Sequence, residues 1–414
     1  MDNPGKAPIL RLMEHDLIIV GGGLNGPALA LAAARSGLTS CVIDALPIAA
    51  REAADFDGRS YALAQASKRL LAGLDLWEQL ADTAQPMHQI KVSDGRVGEA
   101  SAFLGLQFDS AEIEEGPMGY MLEDRYLRRA LLRAMADSDR IEDRAETRVI
   151  AQDTGPKGVS ITLDTGEVIR GRLLIGADGR QSGTATRAGI RRTGWSYGQT
   201  ALVCAIAHEK PHDGIAHQLF LPPGPLAILP LTGNRSSIVW SETDSRAQAI
   251  HALPDHDYLD ILRPRFGDFL GRIDLAGQRY TYPLNLTLAN SFTAERLALV
   301  GDAAHGMHPI AGQGLNAGLR DVAALAHVID HAVKRGEDFA SPLVLDRYAG
   351  WRRWDTASLA ASTDLFNRLF SNDNPLLRGI RDIGMGLINA APALRRGFIR
   401  EAAGLTGDLP DLMR

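Results

Sequence analysis

The chain has 414 residues, of which 45% are hydrophobic and 23% are charged, and its formal net charge is −6 at pH 7. This composition is typical of a soluble globular protein, and the length favours two domains. The negative charge argues against nucleic-acid binding, because that function needs a basic face opposite the phosphates.

Cysteine usage and hydropathy indicate the compartment. Cys41 and Cys204 lie in separate apolar runs, which is too few for a disulfide framework and suits a reducing compartment. The sequence shows no signal peptide and no apolar run of the length that a membrane span requires. We therefore expect a soluble cytoplasmic protein.

A dinucleotide fingerprint stands near the N-terminus. Residues 16–20 predict a buried strand, and Gly21-Gly22-Gly23-Leu24-Asn25-Gly26 follows as G-x-G-x-x-G before an alanine-rich helix. Asp44 ends a second predicted strand, residues 40–44. In this pattern the glycines admit a pyrophosphate at the helix N-terminus, and the acid accepts hydrogen bonds from ribose hydroxyls. The fingerprint predicts an ADP moiety and does not distinguish FAD from NAD.

Two arginines have roles that the sequence leaves open. Arg59 lies in a glycine-flanked turn ahead of a helix predicted over residues 65–81. Arg125 lies in the first turn of another predicted helix. Each of them either reaches a cofactor phosphate or ring, or faces solvent.

The middle of the chain alternates apolar and polar residues. Residues 145–175 predict antiparallel strands that lead into Asp178-Gly179. An Asp-Gly pair is ordinarily a turn, but this one is the third strand end to present Gly or Asp, as a doubly wound fold presents its ligand groups. Residues 190–290 then predict an antiparallel sheet that forms a substrate wall, and its low charge favours an apolar partner, although core packing explains much of the same pattern.

A second glycine-rich stretch covers residues 301–321. Gly301-Asp302 follows a short apolar strand, and Gly312-Gln313-Gly314-Leu315-Asn316 opens a long helix. The free N–H groups and positive dipole end of that helix favour an anionic ligand, and Asp302 is placed to hold hydroxyls. The alternative is a tight connection in which the glycines serve packing. His305 and His308 are weak evidence for a metal, and we predict none.

Residues 341–402 predict helices, with a break at 372–375. Between residues 376 and 402 five arginines face two acids. These helices either lie on an anionic membrane surface or pack on the body with arginines outward, and we favour packing.

Taken in order, the three motifs resemble those of the group A flavoprotein monooxygenases, the para-hydroxybenzoate hydroxylase type. The closer resemblance is to the ubiquinone-biosynthesis aromatic-ring hydroxylases, and it covers nearly the whole chain. The other matching stretches are Asp57-Gly58-Arg59 and residues 197–201, 224–231, 282–284 and 301–321.

This resemblance implies an α/β fold, in which an FAD-binding Rossmann-like doubly wound domain is interleaved with an antiparallel β-sheet substrate domain and followed by C-terminal helices. The implied boundaries are residues 1–180 for the first part of the FAD-binding domain, 181–292 for the substrate domain, 293–340 for the second part and 341–414 for the helical region. Residues 73–100 are an alternative part of the substrate domain.

The resemblance also implies hydroxylation of a polyprenylated phenol in ubiquinone biosynthesis, with FAD, NAD(P)H and O2, through a flavin C4a-hydroperoxide. Contact with other quinone-biosynthesis proteins and with the inner face of the membrane would fit this role. Because the chemistry is carried by the flavin, no side-chain acid or base is named. The alternatives are a non-catalytic flavin subunit and another FAD oxidoreductase of the same fold.

Site residues follow from the same resemblance. The glycine loop would bind the pyrophosphate, Asp44 the adenosine ribose, Asp302 the ribityl chain, and the Asp-Gly motif both FAD and the pyridine nucleotide. The implied cofactor residues are Gly21, Gly23, Leu24, Asn25, Gly26, Asp44, Arg59, Arg125, Val149, Asp178, Gly179, Gly301, Asp302, Pro309, Gly312, Gly314, Leu315 and Asn316. The substrate pocket would include Tyr197, Phe220, Leu229 and Pro230.

Two departures from the family pattern concern specificity. Ala185 stands where relatives have an arginine, with Arg187 two residues later, and this bears on the nucleotide contacts. Gln218-Leu219-Phe220 replaces a usual Glu-Arg-Phe, and this bears on the substrate.

Overall fold

A computed structural model describes residues 14–94, 106–306, 313–353, 355 and 392–414. The strands are β1 His15–Val20, β2 Ser40–Ile43, β3 Ser60–Ala64, β4 Gln85–Met87, β5 Gln89–Asp94, β6 Leu106–Asp109, β7 Gly119–Glu123, β8 Ile141–Arg144, β9 Val149–Gly155, β10 Gly158–Leu163, β11 Val168–Gly176, β12 Arg192–His208, β13 Ile215–Leu221, β14 Gly224–Leu231, β15 Arg235–Thr243, β16 Ile273–Leu275, β17 Tyr280–Ala289, β18 Thr293–Ala294, β19 Leu297–Leu299 and β20 His305–Gly306. The helices are α1 Asn25–Arg35, α2 Ile48–Arg51, α3 Gln65–Gly73, α4 Trp77–Leu80, α5 Asp124–Ala136, α6 Gly183–Arg187, α7 Asp244–His251, α8 Asp255–Phe266, α9 Gln313–Lys334, α10 over residues 342–353, and α11 Pro392–Ala402.

The first sheet has the strand order β18-β19-β11-β1-β2-β8, with β10 and β9 attached beside β11. The pairs β19–β11, β11–β1, β1–β2 and β2–β8 are parallel. Strands β1, β2 and β19 read as continuous apolar runs, and their side chains lie in the largest hydrophobic core of the protein. A parallel sheet that is covered on both faces requires this pattern.

The second sheet has the order β20-β17-β12-β15-β14-β13-β5-β6, with β16 beside β12. One face is covered by α7 and α8, where Trp240 packs against Tyr258 in a separate core. The opposite face lies on the three-stranded sheet β3-β7-β4, where Leu229 shares a cluster with Ala62 and Met121. This packing places the second sheet over strands β3, β7 and β4.

The predicted fold class is confirmed, whereas one predicted helix is wrong. The helix expected over residues 65–81 is two helices, α3 and α4, because Asp75 adopts φ +58° between them and ends the first. Helices α7 and α8 were not predicted within residues 190–290. Strand β5 joins the second sheet by pairing with β13, and β6 pairs with β5. The domain division itself stays a prediction.

The arginine-rich helix α11 packs on the body of the protein. Its Ile399 is buried with Ile113 and Met118, and Arg395 Nε lies 2.7 Å from a carboxylate oxygen of Glu112. These contacts favour the packing interpretation over the membrane interpretation. The break at 372–375 lies outside the described residues, and within them no helix is long and apolar enough to cross a membrane.

Candidate functional site

The three sequence motifs meet at one edge of the parallel sheet. Residues Val20, Ile43, Gly176 and Leu299 are register partners at the carboxyl ends of neighbouring strands. Backbone hydrogen bonds continue just past these ends, from Gly21 N to Ile43 O and from Ala177 N to Val20 O, both at 2.8 Å. This edge is where open α/β sheets bind nucleotides.

The glycines of the first loop have distinct roles. Gly21 adopts φ +116°, and a Cβ on Gly26 would lie 2.0 Å from Gly21 O, so only glycine lets α1 approach β1 this closely. A Cβ on Gly23 would meet no protein atom within 4 Å. Helix α1 also has no side-chain cap, so its first N–H groups are available to an anion. The loop therefore fits a pyrophosphate.

Asp44 shapes the same loop. Its Oδ2 accepts a hydrogen bond from Gly22 N at 2.7 Å, and its Oδ1 accepts one from Leu46 N at 2.8 Å. A carboxylate has about four acceptor positions, so ribose hydroxyls can still bind. Val149 starts β9 nearby, since Thr147 N donates to Asp44 O at 3.0 Å.

Arg51 lies beside Asp44, and no sequence motif marks it as a site residue. Its side chain is 2% exposed, and Nη2 lies 2.7 Å from Asp143 Oδ2. Within the described part of the chain, its Nε and Nη1 have no hydrogen-bond partner. Two orphaned donors in a buried position fit a cofactor that brings acceptors.

Asp302 is half-exposed at the end of β19 and pairs with Arg180. The Arg180 Nε atom donates to Asp302 Oδ2 at 2.9 Å, and Nη1 donates to Asn285 Oδ1 on β17 at 3.2 Å. Arg180 thus links Asp302, which is predicted to bind the ribityl chain, to the second sheet. Ribityl hydroxyls would share the Asp302 carboxylate with Arg180.

The Asp178 carboxylate is engaged within its own turn. It accepts hydrogen bonds from Thr184 N and Thr184 Oγ1, each at 2.9 Å, and from the Ser182 hydroxyl. These bonds cap helix α6, whose Ala185 is fully buried. Gly179 adopts φ +76° with open space at its Cβ position. A direct cofactor contact of Asp178 and Gly179 stays a prediction.

The start of α9 is anchored on two sides. Asn316 Oδ1 accepts from Ala64 N at 2.9 Å, and its Nδ2 donates to Ala62 O at 2.7 Å. Gly301 touches the Asn25 amide, because a Cβ there would lie 2.1 Å from Asn25 Nδ2. Leu315 packs against the main core and Gly314 is open at its Cβ position. Pro309 and Gly312 lie outside the described residues.

Arg59 and Arg125 are both held by acids. Arg59 forms ion pairs with Asp57 and Asp124, and Arg125 lies 2.7 Å from Glu123. Their predicted cofactor contacts stay predictions.

A buried charge network lies next to Gly301 and Asp302. Asp321 on α9 accepts hydrogen bonds from Gly301 N at 2.8 Å, from His305 Nε2 at 2.6 Å and from Arg352 Nε at 2.7 Å. Asp321 and His305 are fully buried, and Arg352 is 2% exposed. Burial raises the pKa of Asp321, but the adjacent His305 and Arg352 outweigh it and hold that pKa below its usual value. The network fixes the backbone next to Asp302.

Three of the four predicted pocket residues share one face of the second sheet. Tyr197 packs beside Ala317 of α9, and Leu229 lies in the cluster over the three-stranded sheet. Phe220 packs with Val92 and Leu106 in a cluster of its own. Its neighbour in sequence, Leu221, is buried in the core under α7 and α8, so Phe220 points to the other side, as do Tyr197 and Leu229.

Pro230 is the exception. Leu226 and Ile228 point to the core under α7 and α8, and alternation along the strand places Pro230 on that side. Pro230 and Leu229 thus lie on opposite faces of the second sheet, and the predicted role of Pro230 in the substrate pocket stays a prediction.

Comparison with known proteins gives consistent matches. The family model described as "FAD binding domain" matches residues 14–360. Ubiquinone hydroxylase UbiL of Rhodospirillum rubrum is 44% identical over 402 residues, which cover 96% of this chain and 92% of that protein. The 3-demethoxyubiquinol 3-hydroxylase of Escherichia coli is 34% identical, covering 94% of this chain and 98% of its own.

Among solved structures, p-nitrophenol 4-monooxygenase PnpA from Pseudomonas putida DLL-E4 superposes with a TM-score of 0.78 at 18% identity. The match covers 95% of this chain and 98% of that one. At this identity the likeness shows the fold.

Proposed function

This chain belongs to the FAD-binding domain family, and we propose that it is an FAD-dependent monooxygenase that hydroxylates the ring of a polyprenylated phenol in ubiquinone biosynthesis. The observation that carries the proposal is the near-full-length match, at 44% identity, to a ubiquinone hydroxylase. The motifs on which the resemblance rests also meet at one sheet edge.

The residues at this edge suit FAD along its length. The open backbone at Gly23 and the uncapped start of α1 would hold the pyrophosphate, Asp44 the adenosine ribose and Asp302 the ribityl chain. Bound FAD supplies the redox chemistry, with NAD(P)H as reductant and O2 as the source of the inserted oxygen atom.

The protein's own part is electrostatic and steric. The N-terminal end of α9 carries a partial positive charge that stabilises an anion in front of it without a cationic side chain. The anchoring of Asn316 to Ala62 and Ala64 fixes that helix end, so little reorganisation accompanies the development of charge. No side chain is assigned as acid or base.

An apolar substrate suits the opposing wall. The face of the second sheet that carries Tyr197 and Leu229 is built from apolar clusters that include Ala201, Val203 and Ala205. Such a face excludes water from the reaction, and it favours a substrate with an isoprenoid chain over a charged one.

The test is product formation by the purified full chain. The protein is loaded with FAD, given NAD(P)H, O2 labelled with oxygen-18 and a prenylated phenol, and the product is identified by mass spectrometry. We expect a ring hydroxyl that carries the label. Consumption of NAD(P)H that yields only hydrogen peroxide with every prenylphenol tried would refute the proposal.

An Asp302→Ala variant serves as the control. It should lose FAD and hydroxylation together, because a ligand to the ribityl chain is removed. If cells that carry only this variant still make ubiquinone, the protein is a non-catalytic subunit instead.

A further inference from the structure

Arg51 is buried without enough partners. The residue is 2% exposed, Nη2 pairs with Asp143, and Nε and Nη1 find no hydrogen-bond acceptor among the described residues. Leaving a buried donor unpaired is costly, and more so when the group is charged. The position therefore calls for a ligand that brings acceptor atoms.

One of the two unpaired donors, Nη1, lies at the dinucleotide loop. A Cβ on Gly22 would lie 2.5 Å from Arg51 Nη1 and 3.1 Å from Asp44 Oδ2. The guanidinium and the Asp44 carboxylate thus flank the same glycine. The last residue before Asp44, Ile43, ends β2 beside β8, so the site lies at the carboxyl ends of β1, β2 and β8.

Arg51 is held there by rigid structure. Asp143, its ion-pair partner, lies on β8 in register with Val42 of β2. Because one arm of the guanidinium is fixed to a strand of the main sheet, the other donors have a defined direction. This is the arrangement of a preorganised binding group.

We propose that Arg51 binds the adenosine ribose of the dinucleotide, donating to a ribose hydroxyl whose own proton is accepted by Asp44. A hydroxyl both donates and accepts, so it satisfies a guanidinium and a carboxylate at once. This inference rests on the assignment of FAD to the loop in the proposed function, and it adds a residue to the adenosine end.

Calorimetric titration of the flavin-free full chain with ADP tests the role of Arg51. We expect Arg51→Met to weaken ADP binding by about tenfold or more, because a hydrogen bond to a charged group is lost. Arg35→Met is the matched control, since Arg35 forms an ion pair of the same 2.7 Å length with Asp75 but is exposed. It should leave ADP affinity unchanged.

ADP affinity of Arg51→Met within twofold of wild type would overturn the inference. If that variant does not fold, Arg51→Lys decides in the same way, because it keeps the charge beside Asp143 but loses the second donor arm. These readings do not depend on hydroxylation, so they stand apart from failure of the proposed activity.

Discussion

Replacing Asp321 with asparagine tests the buried network that Asp321 forms with His305 and Arg352. The change leaves Arg352, which is 2% exposed, without its buried partner. Breaking a buried ion pair from one side costs about 3–5 kcal/mol of stability. Because Arg352 keeps a 2.7 Å contact with Asp355, we expect the lower end, about 3 kcal/mol. That is a large part of the roughly 5–15 kcal/mol that stabilises an ordinary domain.

The assay is urea unfolding of the flavin-free chain, with Asp330→Asn as control. Asp330 lies on the same helix and forms a 2.6 Å pair with Lys334, whose side chain is 71% exposed, while the Asp330 side chain is 25% exposed and also accepts a hydrogen bond from Ser36 Oγ. A surface pair contributes about 1 kcal/mol or less. If the two variants lose equal stability, burial does not decide the strength of these charges and the reasoning fails.

The same variant has a defined pH dependence. The pKa of Asp321 is lowered in the folded protein, so its contribution to stability is present above the unfolded value of about 3.9 and is lost as pH falls through the folded value. The stability difference between wild type and Asp321→Asn should be constant near neutral pH and shrink in acid. A difference that grows in acid would contradict the sign.

Three further predictions follow from glycine and cysteine environments. Gly23→Ala should fold with wild-type stability, because the added Cβ meets no protein atom within 4 Å. The variant should nevertheless lose FAD affinity by about tenfold or more, since the added Cβ enters the open space in front of the loop. Unchanged FAD binding would exclude Gly23 from the site. Gly26→Ala should instead lower the melting temperature of the flavin-free chain, since its Cβ would lie 2.0 Å from Gly21 O and overpacking costs about 1–3 kcal/mol or more. Burial raises the pKa of Cys41 to about 12 and that of Cys204 to about 11, so iodoacetamide at pH 8 should label both only after unfolding, as read by mass spectrometry.

Motif spacing predicted the strand ends and loops, but it did not predict most partners. Gly21, Asp44 and Asp302 were found because each follows an apolar strand directly. Arg51 and its partner Asp143 are 92 positions apart, and no local pattern marks either of them. Long-range ion pairs of this kind are decided by packing, which a single sequence does not encode locally.

Two local sequence signals indicate where the side chains of Asp178 and Pro230 lie. Asp178 is followed by Ser182 and Thr184, residues that cap helices, and in the structure their side chains occupy its carboxylate. Alternation along the predicted strand 226–231 would have separated Leu229 from Pro230.

The start of α9 and the second sheet both contact the short strand β3. Asn316 binds the backbone of Ala62 on β3, and Ala62 packs in the same cluster as Leu229 of the second sheet. From below, Asp321 holds the backbone of Gly301 beside Asp302. If the second sheet carries the substrate, as proposed, a displacement of that sheet would act on the start of α9, because Leu229 of the sheet packs in the same cluster as Ala62 of β3, to which Asn316 of α9 is hydrogen-bonded.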